Sequence, residues 1–242
     1  MLRSTKAQIQ SLIAEALASF IFGYAVYSSV LSVKSENFGV NEVFVPIAVG
    51  FSGIVVIYTF LDHTICHFNP AITLAAILTR KLPIILGFLY IIAQFAGFVL
   101  ATCMAKANFS QSWKFTMTQL APSRVDPDLS NTALFFTEFT LTAILVFVAF
   151  ENGVNSKRNP DFSFYGDQPQ PDRSIVTPLV IGLTLGFLAV LGSITSGGAF
   201  NPGLIFAPQL LGNVWTAGWE YYVGSFTGGL FGALVQVWIL FK

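Results

Sequence analysis

The sequence predicts an all-α membrane protein: six membrane-spanning helices and two half-length helices, built as two inverted copies of a three-span unit. Three observations carry this reading. Charged residues are 10% of the 242, against ~25% in an average soluble domain, while hydrophobic residues reach 54% and Phe alone contributes 25. Six apolar stretches reach the ~20 residues that a helix needs to cross a bilayer. A carboxylate inside a span, followed by an Asn-Pro junction and a short apolar segment, occurs twice. The same composition excludes a disordered chain, a disulfide scaffold and a basic nucleic-acid binder. Two His (His63, His67) and two Cys (Cys66, Cys103) give no metal-ligand spacing, and neither an enzyme nor a cofactor is expected.

In chain order, the spans run approximately Gln8 to Leu31, Val43 to Leu61, Leu82 to Ala105, Thr132 to Phe150, Ile175 to Ile194 and Ala217 to Phe241. Two apolar pieces, Asn69 to Thr79 and Asn201 to Leu211, are too short to span; at ~1.5 Å per residue each reaches about halfway across. Arg3 and Lys6 precede the first span with no small-residue cleavage site after it, so no cleavable signal is expected. No soluble tail is expected after the last span. The longest polar loops are Lys106 to Asn131 and Glu151 to Ser174, the second reading as a solvated linker. With both termini cytoplasmic, the inside carries Arg3, Lys6, Arg80, Lys81, Lys157, Arg158, Arg173 and Lys242, against Lys34, Lys106, Lys114 and Arg124 outside. Eight basic residues against four favour that orientation. The outward loop then carries Asn108-Phe109-Ser110, a glycosylation sequon at Asn108.

The repeat shows in three places. Glu15-Ala-Leu-Ala-Ser19-Phe-Ile21 matches Glu138-Phe-Thr-Leu-Thr142-Ala-Ile144. Phe68-Asn69-Pro70 matches Phe200-Asn201-Pro202, and Gln94-Phe95-Ala96-Gly97 matches Ser225-Phe226-Thr227-Gly228. Repeat one covers about residues 8–105 and repeat two about 132–241 of a single transmembrane channel domain, 1–242. Three spans are an odd number, so the second copy enters the membrane from the opposite face, and its interrupted segments point to the permeation site.

Each Asn-Pro junction is a helix start: Asn caps the free amides, and Pro at the first helical position loses no needed donor. Both half-helices then aim their positive ends at the bilayer centre, which repels a cation or migrating proton and merely orients a neutral dipole. The bland reading is a pair of helix caps. Two such junctions at equivalent repeat positions and at membrane depth favour a pore, because irregular backbone is tolerated there only when buried or lining water. Glu15 and Glu138 are carboxylates inside spans. Each lacks a second titrating partner, so each reads as an acceptor for the loop before its half-helix rather than as a proton relay.

The chain resembles the aquaporins, the major intrinsic protein family, over nearly its whole length. The resemblance rests on His67-Phe68-Asn69-Pro70-Ala71-Ile72-Thr73, on Tyr90-Ile-Ile-Ala-Gln94-Phe-Ala-Gly97 and on Ser196-Gly197-Gly198-Ala-Phe-Asn201-Pro202-Gly203. It implies an hourglass pore through each subunit, a homotetramer in membrane lipid, and passive flux of water or small neutral solutes. It also implies the structural role for Glu15 and Glu138, and an outer constriction of four positions that falls on Val49, Ala189, Gly198 and Leu204. Typical members place Arg three residues after the second Asn; Leu204 stands here, followed by Ile205 where glycerol-type members have Asp. The mouth is therefore expected to be broad, dry and uncharged, and Tyr221-Tyr222 is closer to the aromatic pair of water-type members. Water is the expected permeant. Glycerol, urea, ammonia or hydrogen peroxide are the alternative permeants, and a non-conducting junctional protein is the alternative fate of the fold. Cys66, three residues before Asn69 as Gly198 is before Asn201, divides evenly between facing the conduit and being a small buried hydrophobe. His67 sits beside it, readable as a pH gate but more commonly as a loop His donating to backbone.

Overall fold

The computed structural model describes residues 5–36, 41–122, 124–154, 175–215 and 218–240; these form helices joined by turns and loops, with no strand among them. Nine α-helices follow one another among the described residues: α1 (Thr5–Glu36), α2 (Asn41–Phe60), α3 (Pro70–Leu78), α4 (Ile84–Ala107), α5 (Trp113–Leu120), α6 (Asn131–Ala149), α7 (Thr177–Gly192), α8 (Pro202–Gly212) and α9 (Trp219–Leu234). α6 and α9 each run on into a π-helical turn, Phe150–Val154 and Val235–Leu240. Arg3, Lys157, Arg158, Arg173 and Lys242 from the charge count lie outside the described residues, as do most of the Glu151 to Ser174 linker and the residues Ala217 and Phe241.

Among the described residues, five helical segments are long and apolar enough to cross a membrane: Thr5–Lys34, Val43–Phe60, Ile84–Ala107, Asn131–Gly153 and Trp219–Leu240. The fifth expected stretch, Ile175 to Ile194, contains the shorter apolar helix α7, whose 16 residues end where the chain turns through Ser193–Ser196. At 1.5 Å per residue α7 is about 24 Å long, short of the ~30 Å hydrocarbon core. Two departures from the sequence reading concern polar stretches. α1 starts at Thr5 and continues to Glu36, past Leu31, because Ser and Lys at its end do not break a helix that packing already supports. The loop from Lys106 to Asn131 contains the amphipathic helix α5, capped by Ser112, whose Oγ accepts from the Phe115 N–H at 3.3 Å.

The two halves use the same packing. α1 lies on α4, α6 lies on α9, and α2 lies against α7 to join the halves. The crossings fall at corresponding glycines. A Cβ on Gly97 would sit 2.3 Å from the Ala16 carbonyl oxygen, and one on Gly228 would sit 2.1 Å from that of Phe139. Only glycine allows backbones to approach so closely. Ala16 and Phe139 each follow the buried carboxylate of their helix, so the crossing brings α4 and α9 next to Glu15 and Glu138. The short helices α3 and α8 fill the space between the halves: α3 packs on α4, α6 and α9, and α8 on α4, α5 and α9.

Candidate functional site: two Asn-Pro helix ends and the chambers beside them

α3 and α8 begin alike. Asn69 (φ −149, ψ 114) and Asn201 (φ −147, ψ 105) are extended N-caps, and Pro70 and Pro202 open the helices. Asn69 Oδ1 accepts from the Ala71 N–H at 2.9 Å, and Asn201 Oδ1 from the Gly203 N–H at 2.9 Å. The amide nitrogens cross over to the other half. Asn69 Nδ2 donates to the Phe200 carbonyl and Asn201 Nδ2 to the Phe68 carbonyl, both at 2.9 Å. The helix N-termini are thus locked to each other by reciprocal bonds. Each amide nitrogen carries two N–H groups, so one per Asn remains for another acceptor.

What holds Phe68 and Phe200 in place is the buried carboxyls. Glu15 Oε1 accepts from Thr64 Oγ1 (2.6 Å) and the His67 N–H (2.9 Å), and its Oε2 from the Phe68 N–H (3.0 Å) and Gln94 Nε2 (2.8 Å). Glu138 Oε1 accepts from the Ala199 N–H (3.2 Å), and its Oε2 from the Phe200 N–H (2.7 Å) and Ser225 Oγ (3.5 Å). Both Phe residues have positive φ, 34° and 30°, as does Cys66 at 54°. Such backbone persists where surrounding bonds over-determine it, and here each Phe is held by a carboxyl through its N–H and by the opposite Asn through its carbonyl.

His67 differs from the backbone-bonded reading. Its Nδ1 lies 3.1 Å from Thr73 Oγ1, one turn into α3, so the ring pairs with a side chain; Nε2 is buried with no hydrogen-bond partner among the described residues. Gln94 Nε2 also donates to Thr73 Oγ1 at 2.8 Å, tying the ring to the Glu15 cluster.

Two chambers flank this region. The larger, about 380 Å3, brings together Val49, Ala189, Gly198 and Leu204, with Tyr27, Lys34 and the glycine-rich 196–200 segment in its wall. Tyr27 Oη donates to the Leu204 carbonyl at 2.9 Å. The smaller, about 30 Å3, is lined by Cys66, His67, Phe68 and Asn69 together with Leu145, Ile181 and Leu185. Cys66 Sγ lies 3.6 Å from the Val56 carbonyl, while Cys103 is a partly exposed residue of α4. Asn108 stands apart from both chambers: it is exposed at the end of α4, and its Nδ2, the atom a glycan would take, donates to Tyr24 Oη at 2.5 Å. Among the described residues no cluster of three or more His, Cys, Asp or Glu could hold a metal ion.

Of the α7 wall, only Ala189 stands out in the sequence. Ile181 and Leu185 line the small chamber, and Ala189 and Ser193 the large one, a stripe at four-residue spacing on one helix face. α6 contributes Leu145 and Ala149, and the π-helical turn after it Gly153, at the same spacing. Extending the stripe back from Ala189 would have found Ile181 and Leu185, although their types do not distinguish them from lipid-facing residues.

An all-helical chain that crosses the membrane several times and meets itself at two capped helix ends, with a chamber on either side, has the build of a channel. The major intrinsic protein family matches residues 1–236, and the chain belongs to that family. It is 49% identical over 239 residues to an aquaporin of Enterocytozoon bieneusi (strain H348), covering 99% of each chain. It is 48% identical over 247 residues to an aquaporin of Encephalitozoon hellem, covering 100% of this chain and 98% of that one. The fold is shared with the X-ray structure of the aquaglyceroporin from Plasmodium falciparum: TM-score 0.75 at 18% identity, covering 95% of this chain and 93% of the other. The chain is therefore a multi-pass integral membrane protein of a channel family, not an enzyme.

Proposed function

We propose that the chain is a passive water channel whose conduit runs from the large chamber past Asn201 and Asn69 into the small one. The observation that carries this is the reciprocal locking of the two Asn amides. With each amide oxygen held by its own helix, and one N–H of each nitrogen held by the opposite loop, the two remaining N–H groups are fixed donors. A passing water oxygen accepts from them and keeps part of its hydration. Both helix N-termini present their positive ends at this point, so a cation or a proton relay is opposed while a neutral molecule turns and passes. Val49, Ala189, Gly198 and Leu204 form the outer constriction in this reading, with Leu204 giving it no charge where an Arg would.

The same reading has six spans, with α7 as the fifth, and α3 and α8 re-entering from opposite faces as an inverted repeat within one channel domain. Both termini are cytoplasmic, by the excess of basic residues on that side. The working unit is a homotetramer, which native mass spectrometry from detergent would report as four copies. The test of the conduit is osmotic swelling of proteoliposomes. Asn69→Leu and Asn201→Leu, each at wild-type density of folded protein, are expected to lose most of the water permeability. Wild-type permeability in both would remove the Asn pair from the path.

A further inference from the structure

The large chamber is the one that contains the residues of the outer constriction, yet it is more than ten times the volume of the small one, about 380 against 30 Å3. A water needs about 10–15 Å3 of such space, so the small chamber holds about two. We propose that solute size is selected in the small chamber, by a collar of Leu145, Ile181, Leu185 and Gly153, and not at Leu204. This rests on the channel reading above and names its permeant class: water and solutes of similar size, with three-carbon polyols excluded.

The collar's geometry supports this in three ways. Its wall is apolar apart from Asn69, His67 and the Cys66 thiol. A solute with three hydroxyls would have to leave most of its hydration behind there, whereas one water keeps its bonds to the Asn69 amide and to its neighbour. The wall is also held rigidly. Gly153 belongs to the π-helical turn after α6, and that turn is tied on two sides: Thr177 Oγ1 of α7 donates to the Asn152 carbonyl at 2.9 Å, and Gln236 Nε2 to Glu151 Oε2 at 2.5 Å. Asn152 Nδ2 also donates back to the Val148 carbonyl at 2.9 Å. Finally, Gly153 leaves room that a side chain would take: a Cβ there would meet only Ile181 Cδ1 at 3.8 Å and Thr177 Cγ2 at 3.9 Å, ordinary contacts. The collar can thus be tightened at Gly153 and loosened at Ile181 without disturbing the Asn pair.

The experiment is stopped-flow light scattering of proteoliposomes under sorbitol and glycerol gradients, on full-length wild type, Ile181→Ala, Gly153→Val and Leu204→Ala. The wild type is expected to pass water and little glycerol. Ile181→Ala is expected to raise the glycerol-to-water ratio several-fold, and by more than Leu204→Ala does. Gly153→Val is expected to lower water permeability several-fold, which keeps the proposal testable if Ile181→Ala does not fold. Equal passage of glycerol and water by the wild type would overturn it. So would a larger shift in Leu204→Ala than in Ile181→Ala, or unchanged water flux in Gly153→Val. A wild type no more permeable to water than empty vesicles would instead refute the channel reading, and the size proposal with it.

Discussion

Replacing Glu15 by Gln changes one atom and tests the reasoning behind the whole site. The carboxyl of Glu15 has four donors aimed at it, two at each oxygen. A glutamine amide offers one oxygen and one NH2. The Thr64 hydroxyl can turn to accept and the Gln94 amide can flip, but whichever way the new amide is turned, one backbone N–H, that of His67 or of Phe68, is left without an acceptor. A buried donor so abandoned costs about 1–3 kcal/mol. The damage is not confined to stability. The Phe68 peptide, held by Glu15 through its N–H, presents the carbonyl that fixes Asn201. Once that peptide relaxes from its positive φ, the Asn201 amide loses its orientation, and the second half is disturbed from the first. The assay is reversible unfolding by SDS in mixed micelles, read by Trp fluorescence, together with water permeability per folded molecule. Glu15→Gln is expected to lose a few kcal/mol and most of its permeability, and Glu138→Gln to lose a comparable amount, since the Glu138 carboxyl also has four donors aimed at it: the Ala199 and Phe200 N–H groups and the Ser196 and Ser225 hydroxyls. Stability within about 0.5 kcal/mol of wild type, the range of an ordinary surface substitution, would refute the argument that the carboxyl shapes the loop.

Two further outcomes follow from the same structure. Cys66 lines the small chamber and Cys103 lies on α4 away from it, so a mercurial is expected to block water flux in wild type and Cys103→Ser but not in Cys66→Ser; inhibition that survives only in Cys66→Ser assigns the block to Cys103. A side chain at Gly228 would run into the Phe139 carbonyl, so Gly228→Val is expected to cost about 3 kcal/mol or more in the same SDS titration, and a near-neutral result would show that α6 and α9 are not packed this closely.

The sequence carried the outline of this fold because a membrane leaves few ways to use polar residues. Glu15, Asn69, Glu138 and Asn201 stand out among apolar neighbours, and their repetition is visible because so little else is polar. Their hydrogen-bond geometry was not readable. That each Asn bonds to the opposite half depends on a contact between residues more than a hundred positions apart, and on two Phe residues in a backbone conformation that their type does not announce. His67 paired with Thr73 rather than with backbone because α3 brings a hydroxyl one turn away, within reach of its ring. The residues of the small chamber were hidden for a different reason. Leu145, Ile181 and Leu185 are the types that face lipid elsewhere, and only their four-residue register with Ala149 and Ala189 sets them apart. α5 was missed because eight residues of mixed polarity between two spans read as loop, and its Ser112 cap is a signal that many turns share.

In the proposed channel, water passes the paired Asn residues while charge does not. Water flux and proton flux measured on the same proteoliposomes test this: swelling by light scattering, and acidification of a trapped pH dye under an imposed pH gradient with valinomycin and potassium to clamp the voltage. Water permeability is expected well above that of empty vesicles, with proton flux indistinguishable from theirs. Proton flux that rises with the number of channels, in step with water, would contradict it.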